Sequence, residues 1–239
     1  MAVMSDARVL LQLARGLRRG RPHAEALEQF YGPQAARYDA FRERLLSGRQ
    51  RLTSLLPCRT DGRMVELGGG TGRNLEFFGA RLDVLARVEV VDLCAPLLAV
   101  ARTRLHGRPN VHLVAADACT YRPSAPVDCV YFSYALTMIP DWRAAVDNAL
   151  AMLKPGGTLG VVDFYVSSAH PPAGRVRHPW STRAFWPRWF RHDGVRLSPA
   201  HLPYLLERLD ITTLEEHRAP VPYLPLVRVP YYVLVGTPR

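Results

Sequence analysis

The chain has 239 residues, of which 48% are hydrophobic and 22% charged, which is enough apolar material for the core of one α/β domain with additions. No run of eighteen apolar residues occurs, and the short apolar run Val9–Leu13 is too interrupted for a secretory signal, so a membrane-spanning or secreted class is not expected. The formal net charge of +10 favours an anionic partner, either a nucleic acid or the surface of an anionic membrane.

The four cysteines are scattered through the chain and form no Cys-x-x-Cys pair, so the sequence indicates neither a metal site nor a redox dithiol. Scattered free thiols are typical of a reducing compartment. We therefore expect a cytoplasmic protein without a bound metal. The cysteines are Cys58, Cys94, Cys119 and Cys129.

In chain order, apolar residues at helical spacing predict a mostly helical N-terminal cap over residues 1–56. Residues 57–239 form a second predicted domain, in which strands and helices alternate over 60–165. This alternation predicts an α/β fold with a doubly wound, mostly parallel sheet of seven strands. An insertion follows strand five at residues 166–209, and the last two strands are predicted at Ile211–Glu215 and Tyr231–Val235.

The first predicted strand contains Met64 and runs into a glycine-rich turn, after which Arg73–Phe78 is compatible with a helix. Such a strand–turn–helix unit is the usual cradle for a nucleotide-like ligand. The spacing does not fit the dinucleotide pattern Gly-x-Gly-x-x-Gly. It places an acidic residue before three alternate glycines, namely Glu66, Gly68, Gly70 and Gly72. The segment resembles the first motif of the class I S-adenosylmethionine-dependent methyltransferases.

Glycine in this turn lets the amino-acid tail of S-adenosylmethionine cross the backbone, and we expect Glu66 near the ammonium and sulfonium of that cofactor. The second predicted strand, Val88–Leu93, brings Asp92 to its end, where an acid accepts hydrogen bonds from ribose hydroxyls. The motif departs from most class I enzymes at Gly69, where they carry cysteine or another side chain, and we expect no loss of binding from it.

The third predicted strand, Val111–Ala118, ends near Asp117. The class I resemblance implies that Asp117 takes the exocyclic amine of adenine, and that small neighbours such as Ala118 leave room for the ring. The other predicted cofactor-binding residues are Tyr38, Arg49, Asn74, Leu93 and Ser133.

Four segments outside this core closely resemble the N-methyltransferase of betaine-lipid synthesis. The two most specific are Tyr-Ala-Leu-Thr-Met-Ile-Pro-Asp-Trp at 134–142 and Trp-Phe…Asp-Gly-Val-Arg-Leu at 189–197; the others lie at 31–51 and 161–164. The resemblance implies that the chain methylates the amine of diacylglyceryl-homoserine three times to give diacylglyceryl-trimethylhomoserine. It also implies a partner enzyme that supplies the homoserine lipid.

The acceptor should lie at the rim of strands four and five. There we expect Tyr134 and Asp163 to act as catalytic residues that hold the amine in line with the methyl group. Tyr38 and Arg49 belong to the predicted cap over the cofactor, and Arg49 can pair with either the methionyl or the homoserine carboxylate.

Aromatic residues and arginines alternate in the insertion, which predicts an interfacial segment and peripheral association with an anionic membrane. These aromatics can instead pack on the sheet as a lid, and both arrangements can hold together. They are Trp180, Phe185, Trp186, Trp189 and Phe190.

Three other classes of function remain open: methylation of phosphatidylethanolamine or a quinone, methylation of RNA, and ligand binding without catalysis. Nucleic acid is not the expected partner, because strand four is followed by Ser-Tyr-Ala-Leu at 133–136 and not by an Asn/Asp-Pro-Pro-aromatic tetrad.

Overall fold

The computed structural model describes Glu25, Glu28 and residues 43–191, 194–222 and 224–239. Seven strands form one sheet: β1 Arg63–Leu67, β2 Arg87–Asp92, β3 Val111–Ala115, β4 Val127–Ser133, β5 Leu153–Phe164, β6 Leu209–Val221 and β7 Leu224–Pro238. Their order across the sheet is β3-β2-β1-β4-β5-β7-β6. Only β7 runs antiparallel to its neighbours, so the predicted mostly parallel sheet is confirmed.

Six helices among the described residues cover both faces of the sheet. They are α1 Arg49–Leu55, a 3-10 helix at Arg73–Leu82, α2 Ala95–Arg104, α3 Trp142–Met152, α4 Trp180–Arg191 and α5 His201–Arg208. One apolar layer contains side chains of α1, the 3-10 helix, α2 and α4, and the other contains those of α3 and α5. Because the central strands are buried on both faces, their sequences read as continuous apolar runs.

The predicted N-terminal cap lies outside the described residues except for Glu25, Glu28 and 43–56. In that described part, α1 packs directly on the sheet: a Cβ atom added at Gly160 of β5 would come within 2.5 Å of Leu56. Leu52 and Leu56 are fully buried there. The end of the cap therefore shares the core of the sheet. No helix in the described ranges is long and apolar enough to cross a bilayer.

The boundaries of four strands described below differ from the sequence prediction. β5 begins at Leu153, which pairs with Val127. The next pair is Cys129 with Thr158, and this shift in register accommodates the turn that the sequence predicts before the strand. β6 and β7 pair from Leu209 to Val221, well beyond the predicted apolar runs, because backbone pairing continues through residues with no apolar pattern. β3 ends at Ala115, so Asp117 lies in the following loop.

The strand order reverses between β1 and β4, whose carboxyl ends lie side by side at one edge of the sheet. In open α/β sheets, ligands bind in the crevice at such a reversal.

Candidate active site

The loop after β1 requires glycine at three positions. Gly68, Gly70 and Gly72 have φ angles of 73°, 56° and 66°, in the left-handed region that glycine adopts without steric cost. A Cβ atom at Gly68 would come within 2.5 Å of the Ala135 side chain, and one at Gly72 within 2.7 Å of Leu105. The loop can therefore approach β4 and α2 this closely only with glycine.

A cleft opens at the strand-order reversal, between the glycine loop and the end of β4. It is lined by Leu46, Arg49, Gly68, Gly69, Thr71, Arg73, Asn74 and Ser133. The Oγ atom of Ser133 is buried and has no hydrogen-bond partner among the described residues. Buried polar atoms without a partner are rare in proteins, so this atom fits a cleft made for a polar ligand.

Three side chains form a buried series behind this cleft. Arg49 donates from Nη1 to Oδ1 of Asn74 at 3.4 Å, and Asn74 donates from Nδ2 to Oε1 of Glu66 at 2.6 Å. Arg49 also donates from Nε to the carbonyl oxygen of Leu46 at 3.1 Å. The guanidinium group at the start of α1 is thus linked to the acid of β1.

The carboxyl group of Glu66 lies beneath the glycine loop and is fully buried. A Cβ atom at Gly69 would stand 3.1 Å from its Cδ atom. Burial is the largest influence on Glu66 and raises its pKa to about 7. The nearby charge of Asp92 also raises this pKa, whereas the hydrogen bond from Asn74 and the charge of Arg49 lower it. Its Oε2 atom makes no well-aligned hydrogen bond within the described chain. Glu66 is therefore linked to the cleft through Asn74, and its place near the ammonium and sulfonium of the cofactor stays a prediction.

Gly69 has a packing reason of its own. A Cβ atom there would come within 2.5 Å of Cγ1 of Val90 on β2. The side chain that most class I enzymes carry at this position would need a different neighbour on β2.

Asp92 fixes the glycine loop to the end of β2. Its Oδ2 atom accepts a hydrogen bond from the backbone N–H of Gly70 at 2.8 Å, and Oδ1 accepts one from Cys94 at 2.8 Å. The side chain is half-buried, as is Leu93 next to it. The acid therefore lies beside the loop at the edge predicted for the ribose.

Asp117 lies at the same edge of the sheet, two residues beyond β3. Its Oδ1 atom accepts a hydrogen bond from the N–H of Cys119 at 2.8 Å, which closes a tight turn. Ala118 is buried inside this turn, and its carbonyl oxygen accepts a hydrogen bond from Asn148 at 2.8 Å.

Asp163 differs from its predicted role. It is fully buried, Oδ1 accepts hydrogen bonds from the Thr137 hydroxyl at 2.7 Å and the Phe164 N–H at 2.8 Å, and Oδ2 accepts one from the Thr137 N–H at 3.1 Å. Burial raises its pKa to about 7 in spite of these bonds. Because its oxygens bind the loop after β4, Asp163 holds the rim in shape and does not face an acceptor.

Tyr134 also differs from its predicted role. Its φ angle of 54° is unusual for a residue with a side chain, and the ring is buried. The hydroxyl group donates to the carbonyl oxygen of Ser47 at 2.6 Å. Tyr134 therefore connects the end of β4 to the segment that enters α1.

The insertion presents aromatic side chains on two faces of α4. Trp186 and Phe190 are buried, and Phe190 stacks on Phe164 at 4.8 Å between ring centroids. Phe185 and Trp189 face solvent. The predicted packing of these aromatics over the sheet thus holds for Trp186 and Phe190, whereas the interfacial role of the exposed face stays a prediction.

Some site residues were not anticipated from the sequence. Thr71 and Arg73 line the cleft and adjoin the glycine motif, so the motif itself was an available signal. Leu46 carried no signal, because its role depends on how α1 packs. The predicted Tyr38 lies outside the described residues.

A sheet in this order, with a cleft after β1, an acid at the end of β2 and another in the loop after β3, defines the class I S-adenosylmethionine-dependent methyltransferases. The sequence matches the methyltransferase domain family over residues 38–214, and the chain belongs to that family. It is therefore an enzyme that uses S-adenosylmethionine, which supplies an electrophilic methyl group on a sulfonium when bound.

Relatives by sequence include the ubiquinone/menaquinone biosynthesis C-methyltransferases UbiE of Pseudomonas savastanoi pv. phaseolicola, 32% identical over 150 residues, and of Pseudomonas fluorescens, 31% identical over 150 residues. The matched region covers 59% of this chain and 59% of each relative.

Similar folds occur in two solved structures. One is the N-methyltransferase NodS from Bradyrhizobium japonicum in complex with S-adenosyl-L-homocysteine, with a TM-score of 0.62 and 18% identity over 89% of this chain and 98% of that one. The other is an S-adenosylmethionine-dependent methyltransferase from Thermotoga maritima, with a TM-score of 0.58 and 16% identity over 89% of this chain and all of that one.

Proposed function

We propose that this methyltransferase acts on the primary amine of diacylglyceryl-homoserine and forms the trimethylated betaine lipid. One observation carries the proposal: the two segments with the most specific resemblance, 134–142 and 189–197, meet at the rim of β4 and β5. The N–H of Arg196 donates to the carbonyl oxygen of Thr137 at 2.7 Å. The segments that distinguish this chain from a generic methyltransferase therefore lie together where an acceptor approaches the cofactor cleft.

We assign the parts of the cofactor to residues that line or adjoin the cleft. Arg49 lies against the glycine loop, so we assign it to the methionyl carboxylate and not to the acceptor carboxylate. Asp92 takes the ribose hydroxyls, Asp117 the adenine amine, and the unpaired Ser133 hydroxyl a polar group of the tail. Tyr38 stays a prediction for this site.

The acceptor must present a neutral amine, because an ammonium has no lone pair with which to attack a methyl group. Phe164, Phe190 and Trp186 give the rim an apolar wall. An apolar surrounding disfavours the charged form and lowers the pKa of an amine, so no strong base is required. The protein's task is then to place the amine, which the rim loop does with its shape held by Asp163.

The proposal includes a cytoplasmic enzyme associated with an anionic membrane, and a separate enzyme that forms the homoserine lipid before this one acts. It can be tested by incubating the purified protein with methyl-labelled S-adenosylmethionine and vesicles that contain diacylglyceryl-homoserine. Mass spectrometry should show one, two and three added methyl groups on the headgroup amine, and fewer with an Asp92→Ala variant when the cofactor is limiting. Absence of label in this lipid, with intact cofactor binding, would refute the proposal.

A quinone precursor is the second candidate acceptor, since the UbiE relatives are named for C-methylation in quinone biosynthesis. The same assay with a demethylated quinol and with phosphatidylethanolamine separates the candidates. Label on a ring carbon, or on phosphatidylethanolamine alone, would favour those acceptors over the homoserine lipid.

A further inference from the structure

Three aromatic side chains of the insertion are exposed to an unusual degree. Trp180 is 77% exposed, Phe185 45% and Trp189 46%, and the rings of Phe185 and Trp189 stack at 5.5 Å between centroids. Within the described ranges, the other large hydrophobic side chains with comparable exposure are two valines. We call Trp180, Phe185 and Trp189 the outer aromatic face; Trp186, which the sequence grouped with them, is buried and does not belong to it.

The surroundings of this face are strongly basic. Residues 166–209 contain seven arginines and only two acidic residues. Arg188 and Arg191 on α4 are exposed. Arg188 donates to the carbonyl oxygen of Ala184 in its own helix, and neither arginine has an acidic partner in the described part of the chain. The charge of these arginines is therefore available to an anionic surface.

We infer that the outer aromatic face docks the enzyme on an anionic bilayer, with the rings at the level of the headgroups and the arginines on their charges. Tryptophan beside arginine is the composition that suits a membrane–water interface, where rings are half-solvated and guanidinium groups reach phosphate or carboxylate oxygens. Because the residues around this face carry an excess of positive charge, we take an anionic bilayer, and not an apolar groove of another protein, as the surface that it binds.

The inner face of the same helix packs against the rim of β4 and β5, where we propose that the acceptor binds. Phe190 stacks on Phe164 at the end of β5, and Phe164 meets the Tyr134 ring edge-on at 4.5 Å between centroids. Docking through the outer aromatic face therefore places the acceptor rim beside the bilayer. This inference rests on the proposed function to the extent that the acceptor is drawn from the membrane.

Vesicle co-sedimentation tests the docking directly. Wild-type protein should bind phosphatidylcholine vesicles that contain phosphatidylglycerol, and the W180S/F185S/W189S variant should bind them at least tenfold more weakly at both low and high salt. The R188Q/R191Q variant should lose binding mainly at low salt. Val84→Ser is the matched control, because Val84 is 43% exposed in the turn before β2, and should bind as the wild type does. Unaltered thermal unfolding and cofactor affinity would show that the variants fold.

Binding of the triple variant at wild-type strength would overturn the inference. So would a wild-type chain that ignores the vesicles but dimerises through this face, seen as a loss of dimer in the triple variant by size-exclusion chromatography.

Activity separates this inference from the proposed acceptor. The triple variant should methylate a dispersed short-chain homoserine lipid at the wild-type rate and a vesicle-borne one much more slowly. Equal rates on vesicles would reject docking and leave the acceptor in place. Vesicle binding that depends on the outer aromatic face, with no methylation of either lipid, would support docking and reject the acceptor.

Discussion

The hydroxyl group of Tyr134 donates a 2.6 Å hydrogen bond to the carbonyl oxygen of Ser47, two residues before Arg49. Arg49 lines the cleft proposed for the cofactor, whereas Tyr134 follows β4 at the rim proposed for the acceptor. The bond therefore couples the two sides of the site through the entry to α1.

We predict that Tyr134→Phe weakens cofactor binding and lowers the free energy of unfolding by about 1 kcal/mol, the usual contribution of one hydrogen bond. Calorimetry with S-adenosylmethionine and thermal unfolding measure both effects. Tyr165→Phe is the control: its hydroxyl binds Glu216 at 2.8 Å in the other layer, so it should affect stability alone. A Tyr134→Phe variant with normal cofactor affinity and reduced turnover would restore the acceptor role first expected for Tyr134.

Arg49→Lys should reduce cofactor affinity about tenfold, or roughly 1.4 kcal/mol, even though the charge is kept. A lysine cannot donate to Leu46 and Asn74 and also present a planar pair of donors to a carboxylate. Titration calorimetry is the measurement. Arg51→Lys provides a matched control on the same helix, because Arg51 is exposed and pairs with Glu215. Equal affinities for the two variants would remove Arg49 from the cofactor site.

Asp92→Asn should weaken cofactor binding by about 1–3 kcal/mol, since one acceptor oxygen becomes a donor beside the Gly70 N–H or the ribose. Equilibrium binding of labelled S-adenosylmethionine gives the change. Asp210→Asn, at the exposed edge strand β6, should leave the affinity unaltered. Wild-type affinity in Asp92→Asn would contradict the assignment of the ribose to this acid.

His201→Phe should make the protein more resistant to acid. The ring is buried against Trp142 at 4.4 Å between centroids, and neither ring nitrogen has a hydrogen-bond partner within the described chain. Burial, and then Arg143, lower the pKa of His201 from 6.5 to about 4. The stability that depends on neutral His201 is thus complete above pH 6.5 and is lost as the pH falls toward 4. Denaturant unfolding at pH 5 and pH 8 should show a relative gain of about 2 kcal/mol for the variant at pH 5. Parallel pH profiles for the two proteins would refute this account.

Gly69→Ala should destabilise the protein by about 1–3 kcal/mol through overpacking against Val90. The double variant Gly69→Ala/Val90→Ala should lose less than the sum of the two single changes, because the second change opens space for the first. Chemical unfolding of all four proteins completes this cycle. Strict additivity would show that the contact with Val90 is not the cause.

The fold and the cofactor loop could be predicted from the sequence because their signals are local. Strands buried on both faces, such as β4, read as apolar runs, and the spacing from Glu66 to Gly72 specifies the loop. The roles of Asp163 and Tyr134 could not be predicted in the same way. Their partners are Thr137 and Ser47, which lie 26 and 87 positions away, and only the packed loops bring them into contact.

The same distinction explains the aromatic residues of the insertion. Composition indicated a segment in which aromatic residues and arginines alternate, but the sequence alone could neither predict its helix nor separate the buried Trp186 from the exposed Trp189. Their separation follows from how α4 turns its Phe190 side toward the sheet.

The backbone hydrogen bond from Arg196 to Thr137 also has a consequence for engineering. Thr137 donates hydrogen bonds to Asp163 of β5 and accepts one from Arg196 of the insertion. The shape of the loop at 133–142 therefore depends on the loop itself, the end of β5 and the insertion. A chimera that exchanges only the insertion between two family members would place the new insertion against a loop whose shape fits the original insertion. A change of acceptor by transplantation would therefore require residues 133–142, the end of β5 and the insertion to be moved as a single cassette.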